Sequence, residues 1–220
     1  IELGLVGSEM CIRDREHIIM QGIYAILDEK NFDFNKLDVI VKKMISRNIK
    51  YFQIRIKGKF SDNHHKIIKS INNICKDSNC YLILNDNIEI AKKLNLDGVH
   101  LGSEDIGIVK ARKILGDSKI VGISCYNELS RAKHAEESKA SYVSFGSLYT
   151  TKTKKNFTML DESIFFEAKK IIKIPTCLIG GINISNFHHV KKLKSDLIAI
   201  SEGLSSETDL IKITKMYAEN

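Results

Sequence analysis

Proline is nearly missing from this 220-residue chain: Pro175 is the only one, and tryptophan does not occur at all. No run approaches the ~18 consecutive apolar residues that a membrane-spanning helix needs. The N-terminus has no basic segment followed by an apolar stretch and a small-residue cleavage site, so a secretory leader is not expected. The five cysteines (Cys11, Cys75, Cys80, Cys125 and Cys177) are odd in number, scattered and never spaced C-x-x-C. That argues against a disulfide framework and against a zinc site, and a reduced, cytoplasmic protein is expected. Long polar tracts are also missing. With 43% hydrophobic and 28% charged residues, a buried core rather than disorder is expected.

The net charge of +7 invites a nucleic-acid reading. The lysines, however, are spread over many segments, with doublets at Lys42-Lys43, Lys92-Lys93, Lys169-Lys170 and Lys191-Lys192. A nucleic-acid binder gathers its charge on one face and interleaves it with aromatics. Neither pattern is present, so no nucleic-acid partner is expected, and no membrane.

Residues 1–16, opening IELGLVGSEMCIRDR, show neither a helical stripe nor strand alternation. They are set apart as an extension that is disordered or foreign to the fold, and residues 17–220 are expected to form one domain. Across that domain, short apolar runs alternate with amphipathic stretches. Strands are predicted at 22–27, 51–56, 81–84, 98–101, 119–124, 142–146, 176–179 and 196–201, each pair separated by a helical spacing of apolar residues, 185–193 between the last two, and the last followed by one over 207–216. Pro175 stands at the start of its strand, where a missing N–H is tolerated. About eight strands alternating with about eight helices imply a parallel sheet covered by helices, at the small end of the closed (β/α)8 TIM barrel. An open doubly wound sheet would not need eight similar units. The barrel demands that functional residues fall just after the strands.

The stretch Tyr81–Asp105 carries that demand most clearly. Two strands flank a short helix, and each delivers a carboxylate past its end: Asp86 and Asp105. Two hard oxygen ligands on one rim suit Mg²⁺, although Asp is also favoured as a helix cap. On the second strand Gln53, Arg55 and Lys57 share one face. An arginine pointing into a barrel is costly unless it meets an anion or a structural acid. Ser124 ends the fifth strand, and the sixth feeds Thr151-Lys152-Thr153-Lys154-Lys155, a loop of hydroxyls and positive charge or a plain surface loop. The seventh ends in Gly180-Gly181, read as running into a helix with unpartnered N–H groups, and the eighth in Ile200-Ser201. Loops seven and eight form the usual phosphate site of this barrel. An anion clamp and metal on one side and a phosphomonoester site on the other fit two phosphorylated small-molecule substrates.

In order, QIRIK (53–57), LND (84–86), DGVHLGSED (97–105), GIS (122–124), FGSLYTTKTK (145–154), IGGI (179–182) and AIS (199–201) resemble thiamine phosphate synthase over residues 21–215. The resemblance implies a transferase that joins hydroxymethylpyrimidine diphosphate to thiazole phosphate and expels pyrophosphate. Gln53, Arg55, Lys57, Asn85, Ser124 and Lys154 would bind the pyrimidine diphosphate. Of these, Arg55, Lys57, Ser124 and Lys154 would assist the reaction. Thr151, Thr153, Gly180, Gly181, Ile200 and Ser201 would hold the thiazole phosphate, and Asp86 and Asp105 the Mg²⁺ cofactor. This chain departs from the family in lacking proline between Gly146 and Thr151, in Cys125-Tyr126 after Ser124, and in Ser103 where Gln is usual. A thiazole tautomerase of the same superfamily is the alternative; resembling tautomerases place a catalytic His where this chain has Tyr126. A non-catalytic phosphate-binding barrel is the third reading. His100 is equally suited to structure or substrate contact, Cys125 is expected to be inert, and His64-His65 and His188-His189 are expected on solvated helix faces. Oligomeric state does not follow from the sequence.

Overall fold

The computed structural model describes residues 20–102, 107–151 and 158–219. Strands β1 (Gly22–Asp28), β2 (Tyr51–Arg55), β3 (Tyr81–Asn85), β4 (Gly98–Leu101), β5 (Ile120–Tyr126), β6 (Tyr142–Phe145), β7 (Thr176–Ile179) and β8 (Leu197–Ile200) close in sequence order into a barrel. All neighbours are parallel, and β1 closes on β8 through Gly22 opposite Leu197. Helices α1 (Leu37–Ile45), α2 (Asp62–Asp77), α3 (Ile88–Lys93), α4 (Ile108–Leu115), α5 (Leu129–Glu137), α6 (Glu162–Ile171), α7 (Phe187–Lys192) and α8 (Glu207–Ala218) each follow the strand of the same number. The expected (β/α)8 barrel is the observed fold.

The period-two pattern of the strands produces two cores. Phe52, Ile54 and Ile56 face outward and pack with Val41, Met44, Ile68 and Ile71 of α1 and α2. Burying each such side chain stabilises the fold by roughly 1.5–3 kcal/mol. The inward set is smaller and contains Tyr24, Ile26, Tyr51, Ile83, Ile120, Tyr142, Cys177, Leu197 and Ala199. It is not purely apolar, because Gln53, His100 and Ser144 are buried as well.

The opposite, N-terminal face is stitched by a repeated device. The residue before each of β4, β6 and β8 accepts a main-chain N–H from the preceding strand. Asp97 takes Leu82 at 2.8 Å, Ser141 takes Val121 at 3.0 Å and Asp196 takes Thr176 at 2.8 Å. Asn48, Asn79 and Asn95 adopt positive φ just past α1, α2 and α3, as asparagine tolerates at helix ends. These ties fix the scaffold on one face and leave the strand C-termini for function.

Helix α7 begins at Phe187, two residues later than the predicted 185–193, and side chains explain the delay. Asn186 Oδ1 accepts the N–H of Asn183, and Asn183 Oδ1 accepts that of Ser185, both at 2.9 Å. The glycine pair therefore does not run directly into a helix, and those N–H groups already have partners.

Candidate active site

The strand C-termini open on a cavity of about 680 Å³, lined from β1, β2, β5, β6, β7, β8 and the segments after them. Arg55 ends β2 and lines this cavity. Its Nη1 pairs with the carboxylate of Asp28 at the end of β1, with side chains only 11% and 3% exposed. Asp28 also accepts the Lys30 N–H at 3.0 Å. The guanidinium is thus paired with an acid, as the structural reading of Arg55 expects, and it also lines the cavity.

Ser124 lines the cavity from β5. Its carbonyl accepts from Arg131 Nε at 2.7 Å, and Arg131 Nη2 reaches the Gly102 carbonyl at 2.9 Å, tying the ends of β5 and β4. The same guanidinium lies 5.8 Å from the centroid of the Tyr126 ring. His100 Nε2 lies 2.9 Å from Ser124 Oγ. Cys125 points away into the outer core, and burial pushes its thiol up to about 12, with Arg131 opposing and Glu128 adding. A buried thiol with a raised pKa is the setting in which a cysteine is unreactive.

The other end is built from β6, β7 and β8. Leu148 and Tyr149 donate to the carbonyls of Ile179 and Gly180 at 2.9 and 3.0 Å, lacing the segment after β6 onto the end of β7. This places Thr150 and Thr151 on the cavity wall. Gly180 and Gly181 have φ of 110° and 61°, and a Cβ on Gly181 would lie 2.3 Å from the Thr150 carbonyl oxygen. Only glycine meets both demands. The Asn183 and Asn186 amides donate to the Gly181 carbonyl at 3.1 and 2.9 Å, so the Ile182 N–H of that planar peptide points the opposite way. Ser201 Oγ accepts from Asn31 Nδ2 at 2.9 Å, which leaves its own proton to donate.

At the rim, Asp86 is exposed with φ of 63°, and its N–H donates to the His100 carbonyl at 2.9 Å. Asn85 Nδ2 donates to its carboxylate. The cap of α3 is Asn87, whose Oδ1 accepts from Ile90 N at 2.9 Å. The helix-cap reading of Asp86 is therefore wrong, because the next residue takes that position.

This arrangement matches known proteins along nearly its whole length. The family model described as thiamine monophosphate synthase matches residues 23–204. The chain belongs to the thiamine monophosphate synthase family. It is 38% identical over 179 residues to a thiamine-phosphate synthase of Pelagibacter ubique, covering 81% of this chain and 86% of that one. It is 32% identical to the thiamine-phosphate synthase of Nitrosomonas eutropha, covering 93% and 96% of the two chains. Among solved structures, thiamine phosphate pyrophosphorylase from Pyrococcus furiosus superposes with a TM-score of 0.77 at 25% identity, covering 92% and 98%.

For this member of the thiamine monophosphate synthase family, the structure brings Arg55, Ser124, Thr151, Gly180, Gly181 and Ser201 onto one cavity. Lys57 is exposed beyond β2 and does not line it, nor do Asn85 and Asp86 at the rim. Ile200 is buried beneath the lining. Gln53 is 3% exposed and its amide nitrogen already donates to Tyr24. Asp105, Thr153 and Lys154 lie outside the described residues. Among the described residues no group of three or more His, Cys, Asp or Glu side chains could hold a metal ion. The exposed Asp86 carboxylate, to which Asn85 Nδ2 donates, is a hard-oxygen group of the kind Mg²⁺ takes.

Sequence reasoning missed Asp28, Ser144, Ser147 and Asn183 as parts of the site or its support. Of the histidine pairs expected on solvated helix faces, His188 and His189 are exposed, with His189 Nε2 2.8 Å from Glu162. His64 and His65 are half-buried; His64 Nδ1 accepts from Ser61 N at 3.1 Å in a capping box and its Nε2 lies 3.0 Å from Glu29. Among the described residues no helix is long and apolar enough to cross a membrane.

Proposed function

We propose that this chain condenses 4-amino-2-methyl-5-hydroxymethylpyrimidine diphosphate with 4-methyl-5-(2-hydroxyethyl)thiazole phosphate, giving thiamine phosphate and pyrophosphate. The observation that carries this reading is a single cavity with a guanidinium at one end and a Gly-Gly turn with hydroxyl donors at the other. Two phosphorylated substrates need two anion-binding ends facing one reaction space. A cavity of 680 Å³ is within the ~300–1,000 Å³ range of small-molecule sites.

Arg55 meets the diphosphate while Asp28 holds its guanidinium in place. As the bond between the pyrimidine methylene and the diphosphate oxygen breaks, charge grows on the leaving group. Preorganised positive charge there lowers the barrier, and Arg55, Lys57 and Lys154 are the residues assigned to it. Asp86 and Asp105 would hold Mg²⁺, which supplies charge neutralisation at the departing pyrophosphate. The thiazole nitrogen attacks the methylene, so no protein nucleophile is required. Ser124 contacts the pyrimidine side, and Thr151, Thr153, Gly180, Gly181, Ile200 and Ser201 hold the thiazole phosphate. The tautomerase alternative loses ground at Tyr126, a phenol on the cavity wall where that chemistry would need a histidine. The domain is assigned to residues 17–220, the protein to the cytoplasm, and the substrates are its partners.

The test is to mix purified protein with both precursors and Mg²⁺ and follow thiamine phosphate by mass spectrometry. Product with the native chain and a loss of at least about 100-fold in Arg55→Ala is expected, the size of a transition-state charge contact. No product from folded protein would refute the reading.

A further inference from the structure

A file of polar side chains crosses the barrel interior beneath the cavity, joining β2 to β5 through residues of β1, β6 and β4. Gln53 Nε2 donates to the Tyr24 hydroxyl at 2.7 Å, and Tyr24 OH lies 3.0 Å from Tyr142 OH. Tyr142 OH lies 2.8 Å from His100 Nδ1, and His100 Nε2 lies 2.9 Å from Ser124 Oγ. Gln53, Tyr24, Tyr142 and His100 are 3%, 1%, 0% and 7% exposed, so water does not substitute for any link. The fold makes room for this file. A Cβ on Gly122 would come within 2.1 Å of the Tyr142 ring, and that ring stacks on His100 at 5.6 Å and meets Tyr24 edge-on at 5.8 Å.

Each hydroxyl has one proton, which gives the file a direction. Gln53 donates to Tyr24, so the Tyr24 proton goes to Tyr142, its other partner among the described residues. Tyr142 then donates to Nδ1 of the imidazole. A neutral imidazole that accepts at Nδ1 carries its proton on Nε2 and donates it to Ser124 Oγ. Ser124 keeps its own proton to donate into the cavity. Were Tyr142 to donate to Tyr24 instead, the Tyr24 proton would be buried without an acceptor, at the cost of an unmade hydrogen bond. Burial holds both phenols above their ordinary titration range, so they remain donors.

We propose that Tyr24, Tyr142 and His100 are positioning residues that lock His100 as the Nε2–H tautomer and thereby set Ser124 as a hydrogen-bond donor to the pyrimidine diphosphate. The identity of the acceptor rests on the proposed function; the tautomer does not.

Nitrogen-15 correlation spectra of the full chain read the tautomer directly, with the His100 signals assigned from their loss in His100→Gln. The native protein should show Nε2 protonated and Nδ1 as acceptor. Tyr142→Phe removes the donor to Nδ1, so an Nδ1–H population should appear. The KM for the pyrimidine diphosphate should then rise about three- to tenfold, the size of one hydrogen bond, with that for the thiazole phosphate unchanged. Tyr24→Phe leaves Tyr142 able to donate to His100, so the native tautomer should persist. A native His100 protonated on Nδ1, or the same tautomer and KM in Tyr142→Phe as in Tyr24→Phe, overturns the proposal. If Tyr142→Phe does not fold, the native spectrum decides alone. The Nε2–H tautomer in a protein that makes no thiamine phosphate would refute the proposed function and leave the relay standing.

Discussion

Replacing Asp28 by alanine should damage the protein twice, and the two effects can be separated. The Asp28 carboxylate is 3% exposed and the Arg55 side chain it holds is 11% exposed, so the substitution strands a nearly buried guanidinium. Breaking a buried pair by removing one partner costs roughly 3–5 kcal/mol. Arg55 keeps some access to cavity water, which favours the lower end, about 3 kcal/mol. Loss of the Lys30 hydrogen bond adds about 1 kcal/mol. At about 2–4 °C per kcal/mol for a domain of this size, Tm should fall by roughly 8–16 °C. Asp28→Asn, which can still accept from Lys30, should fall less. Adding Arg55→Met to Asp28→Ala removes the stranded charge and should recover part of the loss. The assay is thermal unfolding by circular dichroism on the four corners of the cycle, with KM for the pyrimidine diphosphate measured alongside. A Tm for Asp28→Ala within about 1 °C of native, or strictly additive effects, would refute the coupling.

Three further outcomes are expected. Cys125, with its thiol raised to about 12 by burial, should resist a thiol-specific reagent at pH 8 in native protein and react once unfolded; prompt reaction in the folded state contradicts its burial. Stability should fall as pH rises above about 9, where Cys125 ionises only in the unfolded chain, and further above 10, where Tyr51, raised to about 12 by burial and by Tyr81, does the same. These groups bind more protons folded than unfolded in that window, so a Tm flat from pH 8 to 11 would be inconsistent with their burial. Gly181→Ala places a Cβ 2.3 Å from the Thr150 carbonyl at φ of 61°, so KM for the thiazole phosphate should rise more than about tenfold, with a smaller change for the pyrimidine substrate. Equal changes for both substrates would separate this turn from the thiazole site.

The barrel was legible because its strands carry separate inward and outward patterns. Phe52, Ile54 and Ile56 face the helices as their alternation implies, and Arg55 reaches the cavity from the other face. What sequence spacing could not supply was pairing between distant strands. Asp28 and Arg55 are 27 positions apart, and Tyr24 and Tyr142 are 118 apart. Nothing in their local sequence pairs Tyr24 with Tyr142, yet closure of the sheet makes them a hydrogen-bonded pair. Gly122 was the available signal, since a glycine inside a strand marks close approach. The cap reading of Asp86 fails by one position, because Asn87 caps α3. The turn after β7 was misread because asparagine side chains, rather than a helix, take its N–H groups.

The most direct measurement is the yield of pyrophosphate against thiamine phosphate in a single turnover, with each precursor omitted in turn. One pyrophosphate for each thiamine phosphate, and neither product when the thiazole phosphate is left out, is the predicted result. Pyrophosphate released without coupling, or thiamine phosphate absent with both precursors and Mg²⁺ present, would contradict the proposed reaction.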